Sequence, residues 1–254
     1  MKVIFLGVGE ACDESYPNTS VWLQTRTESV RRSLLLDCGF TVPPQYWRQT
    51  PDPEDLDALW ISHFHGDHFF GIPALLVRFW EMKRQKPLTI LGQSGVEDRV
   101  KDAMELAYPN FLQKLQFPLE FIAAEPEREV LAVGLKWRFA ENSHGQRDLA
   151  VRVEDDSCSV FYSGDGAPTP ETFQLAQGCH LVIHEAFRME GTTPGHGTVR
   201  DCLQFALQAH AATLALVHLQ RDERSTRYDA IQELLNGTGG IHGLLPEPGD
   251  ALEL

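Results

Sequence analysis

The sequence predicts an α/β protein in which two sheets pack face to face with helices outside. Two observations carry this. Short runs rich in Val, Ile, Leu and Phe are followed by amphipathic stretches in each of two successive halves of the chain, and histidines and aspartates recur just beyond the ends of those runs. Strand ends are where α/β folds assemble their sites. With 254 residues the chain can bury a substantial core, and we read residues 1–254 as one domain.

In order, Lys2–Val8, Ser20–Thr25 and Ser33–Asp37 are apolar runs separated by Gly, Pro, Asn and Ser clusters, the pattern of successive strands. Pro43 and Pro44 open a short helix to about Gln49, and Ala58–Ile61 is a further strand. Phe69, Ile72, Leu75, Leu76, Phe79 and Trp80 recur at helical spacing, predicting one helix over Phe69–Met82 with one face on the core. Leu88–Leu91 reads as a strand and Gly95–Leu106 as a second amphipathic helix. Leu119–Ala123, Val130–Val133 and Leu135–Ala140 read as strands of a second sheet. Leu149–Val153 and Ser159–Ser163 form a hairpin across Glu154-Asp155-Asp156-Ser157, a loop with turn chemistry. Pro170–Gln177 is a short helix, Leu181–Ile183 a strand, and Thr198–Ala211 a helix with Thr198 as N-cap. Thr213–Val217 is the last strand, followed by a helix at about Tyr228–Leu235 and a Gly/Pro-rich tail.

The 22 basic and 36 acidic residues give a formal charge of −14, which repels polyanions in the absence of a local basic patch. Extended nucleic acid is therefore not the expected partner. The five cysteines (Cys12, Cys38, Cys158, Cys179 and Cys202) are scattered, without a Cys-x-x-Cys pair, as expected for reduced thiols in a cytoplasmic protein. Met1 to Gly9 is too short for a signal sequence, and no stretch is apolar for long enough to span a membrane.

The chemistry concentrates in Ser62-His63-Phe64-His65-Gly66-Asp67-His68, directly after the run Leu59-Trp60-Ile61. Imidazole nitrogens and carboxylate oxygens bind Zn²⁺ and similar ions at roughly 2.0–2.2 Å. Alternate residues on an extended or tightly turning backbone project the same way, so His63 and His65 can share one ion while Asp67 and His68 turn to a second. His144, Asp165, His184, His196 and His218 likewise follow expected strands.

These residues resemble the metallo-β-lactamase fold hydrolases, within them the ribonuclease Z-like branch, over nearly the whole chain. The resemblance rests on Leu36-Asp37-Cys38-Gly39, on His63-x-His65-x-Asp67-His68 followed by Gly71-x-Pro73, and on Ser143-His144 and Ser163-Gly164-Asp165. It continues through His184-Glu185-Ala186-Phe187, His196-Gly197-Thr198 and Val217-His218, all in the family's order. It implies a four-layer αββα sandwich and two divalent ions, Zn, or alternatively Mn or Fe. One ion would take His63, His65 and His144, the second Asp67, His68 and His218, with Asp165 bridging. A hydroxide held between the ions would be the nucleophile, oriented by Asp67. The resemblance also implies that His196 contacts a phosphate or protonates the leaving oxygen with Glu185 as its partner, and it suggests a homodimer. Asp37 is expected to fix the metal loop rather than to ligate, and His184 to be structural.

The chain also departs from that branch. Its tRNA-processing members carry a basic Pro-x-Lys-x-Arg-Asn loop after the first strand, where this chain has the acidic Cys12-Asp13-Glu14-Ser15-Tyr16-Pro17-Asn18. They also carry a long arm, commonly between the segments matching His144 and Asp165, where only a hairpin fits here. Gly197 stands where the family usually has serine. The expectation is thus a phosphodiesterase on a small or nucleotide-like diester, whose charge Arg78, Arg147 and Arg188 could meet. The alternatives are a lactonase or β-lactamase-like hydrolase and, behind it, a ribonuclease Z-type endoribonuclease. A di-iron redox protein would have glutamate at His65 and an added flavin domain, and a non-catalytic relative would have lost ligands that this chain keeps.

Overall fold

The computed structural model describes residues 1–27 and 29–254. In the first half, β1 (Lys2–Gly7) and β3 (Val30–Leu36) each pair antiparallel with β2 (Ser20–Thr27) between them. Helix α1 (Val42–Gln49), with proline in its first turn, then crosses to β4 (Ala58–Ile61), which lies parallel to β3. The short α2 (Gly66–Phe69) and α3 (Ile72–Glu81) lead to β5 (Leu88–Gln93), and α4 (Val96–Ala107) with a 3₁₀ turn at Leu112–Lys114 leads to β6 (Leu119–Ala124). Strands β4, β5 and β6 are parallel neighbours, each pair needing a crossover that these helices supply.

The second half opens with β7 (Val130–Ala132), β8 (Leu135–Glu141), β9 (Leu149–Glu154) and β10 (Ser159–Tyr162), an antiparallel run. Helix α5 (Pro170–Ala176), β11 (Leu181–Glu185), α6 (Val199–Gln208), β12 (Thr213–Val217), α7 (Arg221–Gly237) and β13 (His242–Leu244) follow, with β10 to β13 parallel. The closing strand β14 (Ala251–Glu253) returns to pair antiparallel with β1. Two seven-stranded sheets result, ordered β14-β1-β2-β3-β4-β5-β6 and β13-β12-β11-β10-β9-β8-β7.

Three apolar layers hold these elements together. The central one draws Val3, Leu34 and Trp60 from the first sheet and Trp137, Val151 and Ala215 from the second. The Trp60 and Phe139 rings stack across it, 5.0 Å between centroids and 15° between planes. A second layer packs α1, α3 and α4 on the outer face of the first sheet through residues such as Tyr46, Leu76 and Met104. A third packs α5, α6 and α7 on the second sheet through Leu175, Phe205 and Ile231. This is the αββα order, and it brings the ends of β4, β8, β10, β11 and β12 to one rim of the sandwich.

Four expectations need correction. The helix over Phe69–Met82 is two helices, because the chain turns at Phe70-Gly71, where Gly71 N donates to Cys38 O at 2.8 Å. A Cβ on Gly71 would stand 2.2 Å from Gly39 O, so only glycine allows this approach. Leu119–Ala123 belongs to the first sheet rather than the second, as the parallel partner that α4 delivers to β5. The last helix starts at Arg221, seven residues before Tyr228, capped by the Gln220 side chain accepting from Glu223 N. The Gly/Pro-rich tail contains β13 and β14, too short to show a periodicity.

Candidate metal centre

Ser62-His63-Phe64-His65 continues from β4, and Asp67 and His68 lie in α2, so a strand end and one helical turn present four donors within six residues. His144 lies beyond β8, Asp165 beyond β10, Glu185 at the end of β11, His196 before α6 and His218 directly after β12. The fold gathers them. Donor atoms of His63, His65, His144 and Asp165 lie within 4.8 Å of one another, as do those of Asp67, His68, Asp165 and His218. Asp165 is common to both sets. A third set at the same spacing joins Glu185, His196 and His218.

The hydrogen bonds on the outer side of each ring orient the donors. His63 Nδ1 donates to Asp148 Oδ2 at 2.7 Å, His68 Nδ1 to Asp37 Oδ2 at 2.7 Å and His144 Nδ1 to Gly195 O at 2.8 Å. With the proton fixed on Nδ1, each ring turns the Nε2 lone pair inward. His63 Nε2 and His144 Nε2 lie 2.9 and 3.2 Å from His65 Nδ1, and His68 Nε2 lies 3.4 Å from His218 Nε2. Such crowding of nitrogens is unfavourable by itself. Together with the Asp165 Oδ1 atom, buried without a hydrogen-bond partner, it fits a pair of cations.

The electrostatics agree. Burial, helped by His68, pulls His63 down to about 3, so this ring is neutral and able to ligate. Burial also opposes charge on His68 and His218, but Asp165 reverses it for both, with Asp37 aiding at His68 and Asp67 at His218; His218 is pushed up to about 9. Buried carboxylates thus hold positive charge at this rim, the role divalent ions would take over.

Two backbone positions are strained at the site. Asp37 and His218 have φ of 59° and 57°, in the left-handed region that non-glycine residues seldom adopt. Asp37 is kept there by its N–H on Trp60 O at 2.8 Å and by three further groups on its carboxylate: Ser62 N, Ser62 Oγ and Tyr162 OH. His218 N donates to Val8 O at 2.8 Å, tying its loop to the residue that follows β1 of the other sheet.

His196 stands beside both donor sets, its ring 5.2 Å from that of His144 and 6.2 Å from that of His218. Its Nδ1 lies 3.5 Å from Glu185 Oε1, an ion-pair distance rather than an aligned hydrogen bond. Burial disfavours the imidazolium, yet Glu185 and Asp165 outweigh it and raise the His196 pKa. Glu185 is fully buried, and its Oε1 accepts from Gly166 N at 3.1 Å and Gly197 N at 2.7 Å.

Sequence reading overlooked Asp148 and Asn142. Asp148, fully buried, also accepts from Asp165 N at 3.0 Å, and Asn142 donates to the carbonyls of Ser163 and Asp165. The one signal was an acid placed just ahead of the apolar run Leu149–Val153. His184 is structural, packed on Phe161 and Phe205 with Nδ1 on Glu185 O at 2.8 Å. Arg147 pairs with Glu125 and Glu141, and Arg78 with Glu81 and the Trp47 ring. Between His144 and Asp165 the chain forms the β9–β10 hairpin.

Fold and donor sets together define a metal-dependent hydrolase on the metallo-β-lactamase fold, of the ribonuclease Z-like branch. Residues 1–235 match the family described as Anti-Pycsar protein Apyc1, and the chain belongs to that family. It is 27% identical to Ribonuclease Z of Methanothermobacter thermautotrophicus, over 92% of this chain and 90% of that one. Among solved structures, the metallo-β-lactamase fold protein YhfI from Bacillus subtilis matches with a TM-score of 0.79 at 23% identity, covering 99% of each chain. Human tRNase Z, short form, matches with a TM-score of 0.76 at 23% identity, covering 100% of this chain and 99% of that one. No helix among the described residues is long and apolar enough to cross a membrane.

Proposed function

We propose that the protein is a phosphodiesterase acting on a small or nucleotide-like phosphodiester with two divalent ions, Zn in the first instance. One ion is assigned to His63, His65, His144 and Asp165, the other to Asp67, His68, His218 and the shared Asp165. When bound, such ions neutralise charge on the scissile phosphate and lower the pKa of a water to about 7. The protein's part is orientation and proton handling. Asp148 and Asp37 fix the rings of His63 and His68, and Asp67 is assigned to hold the attacking water by a hydrogen bond. His196, protonated with Glu185 at its Nδ1, donates the proton on Nε2 to the leaving oxygen.

The observation that carries this reading is the placement of a protonatable histidine, backed by a buried carboxylate, beside both donor sets. An alkoxide leaving from phosphorus needs such a donor. The names of Ribonuclease Z and tRNase Z point to the same bond type. Against RNA as the substrate stand the charge of −14 and the acidic rim loop, in which Glu10 and Glu14 pair with Arg221 at 2.8 and 3.7 Å.

The test is metal content by mass spectrometry on a preparation assayed with bis(p-nitrophenyl) phosphate, a p-nitrophenyl monoester, a simple lactone and a precursor tRNA. Two metals per chain with diesterase activity that Asp165→Ala abolishes is the expected result. Turnover of the lactone alone would replace this reading with carbonyl hydrolysis, and of the tRNA alone with an endoribonuclease.

A further inference from the structure

We propose that Phe187 is a positioning residue that aims His196 at the leaving group. This rests on the proton-donor role assigned to His196 above. The ring of His196 has no directional anchor of its own: Nδ1 has no hydrogen-bond partner, and Glu185 Oε1 at 3.5 Å supplies charge rather than alignment. Its backbone N–H is held by Thr193 O at 3.1 Å, which fixes the chain but not the side-chain torsions. Something else must set the plane of the ring.

Stacking does so. The Phe187 ring lies face to face with His196, 4.6 Å between centroids and 26° between planes. His144 meets the same imidazole edge-on at 79°, and His218 lies nearly parallel to it at 13°. Phe187 is itself well fixed, because its N–H donates to Gly197 O at 3.1 Å and its carbonyl accepts from Gln220 N at 2.9 Å. Those two bonds tie it to the loop that carries His196 and to the loop that follows His218. A single residue thereby sets the donor ring relative to one metal-ligand loop. The next carbonyl, Arg188 O, takes Val199 N at 2.8 Å and closes the same seam. The Trp60–Phe139 pair lies inside a core, whereas this one lines the candidate site.

The experiment compares wild type, Phe187→Ala and Phe187→Tyr on two diesters. Bis(p-nitrophenyl) phosphate releases a stable phenolate and needs little help from an acid, whereas a nucleoside cyclic phosphate releases an alkoxide that does. Phe187→Ala is expected to lose about tenfold to hundredfold in kcat on the cyclic phosphate, with KM and the p-nitrophenyl rate little changed. Phe187→Tyr is expected to restore the rate, and metal content should be the same in all three. Equal losses on both diesters, or a change in KM alone, would overturn the proposal. Crystal structures of the two variants form a second, activity-independent arm. The imidazole of His196 should be turned or split between rotamers in the alanine variant and in place in the tyrosine variant; an unmoved ring in Phe187→Ala also overturns it. If the wild type cleaves neither diester the phosphodiesterase reading fails, and the ring position still decides the role of Phe187.

Discussion

Asp148 accepts a hydrogen bond from His63 Nδ1 at 2.7 Å while both side chains are fully buried, one from each sheet of the sandwich. The pair spans the interface between the sheets at the metal rim. It fixes the tautomer of His63 and, through Asp165 N on the same oxygen, the position of the shared carboxylate. Asp148→Asn keeps the size but replaces the carboxyl group whose Oδ2 accepts from both His63 Nδ1 and Asp165 N. Partners of this kind are worth about 10- to 100-fold in metal affinity. The variant should therefore lose metal to a competing chelator at concentrations that leave the wild type loaded, and equal retention would reduce Asp148 to a packing residue.

Glu185→Gln tests the proton donor. Burial lowers the His196 pKa, and the Glu185 carboxylate is the main group that raises it above the ordinary histidine value. A general acid acts only while protonated, so the rate is full below that pKa and falls as pH rises through it. Glutamine retains an oxygen for Gly166 N and Gly197 N but removes the charge. The high-pH limb of kcat/KM on an alkoxide-leaving diester should move to lower pH. A limb that stays in place means another group carries the titration.

Much of this site could be read before folding. The donors of His63 to His68 are adjacent in sequence, and His144, Asp165 and His218 each follow an apolar run, so their convergence needed only the strand-end rule. Asp148 could not be found that way, since its partner lies 85 residues back on the other sheet and nothing local distinguishes it from a solvated turn acid. Strand lengths set a similar limit. Ala58–Ile61 is apolar throughout and Thr213–Val217 after its first residue, so both show their extent, while three-residue β13 and β14 exist through pairing with β12 and β1. The assignment of β6 to the wrong sheet has the same origin, because an apolar run does not state its neighbour.

The stack of Trp60 on Phe139 ties the sheets together just below the metal loop. Trp60 is fully buried, and the carbonyl of the same residue accepts from Asp37 N. Trp60→Ala should cost about 3–5 kcal/mol of unfolding free energy, as for other large-to-small changes in a packed core. Trp60→Phe should cost less, since it keeps an aromatic face and removes an indole N–H that has no hydrogen-bond partner. Urea denaturation followed by circular dichroism measures both. A similar loss in the two variants would mean that volume, rather than the stacking face, governs this position.

Glu14 stands at the exposed tip of the acidic rim loop, its side chain 77% exposed and 3.7 Å from Arg221. Reversing it tests whether charge keeps polyanions away. Glu14→Lys removes a repulsive carboxylate and frees Arg221 from one of its two partners, while Glu10, at 2.8 Å, still holds the loop in place. Affinity for a tRNA-sized RNA should rise, and the slope of log K against log salt should steepen by about 1 for each additional phosphate that the protein neutralises. Hydrolysis of a small diester should be unchanged, because Glu14 belongs to neither donor set. RNA binding that stays at the wild-type level would show that the exclusion comes from the overall charge of −14 rather than from this loop.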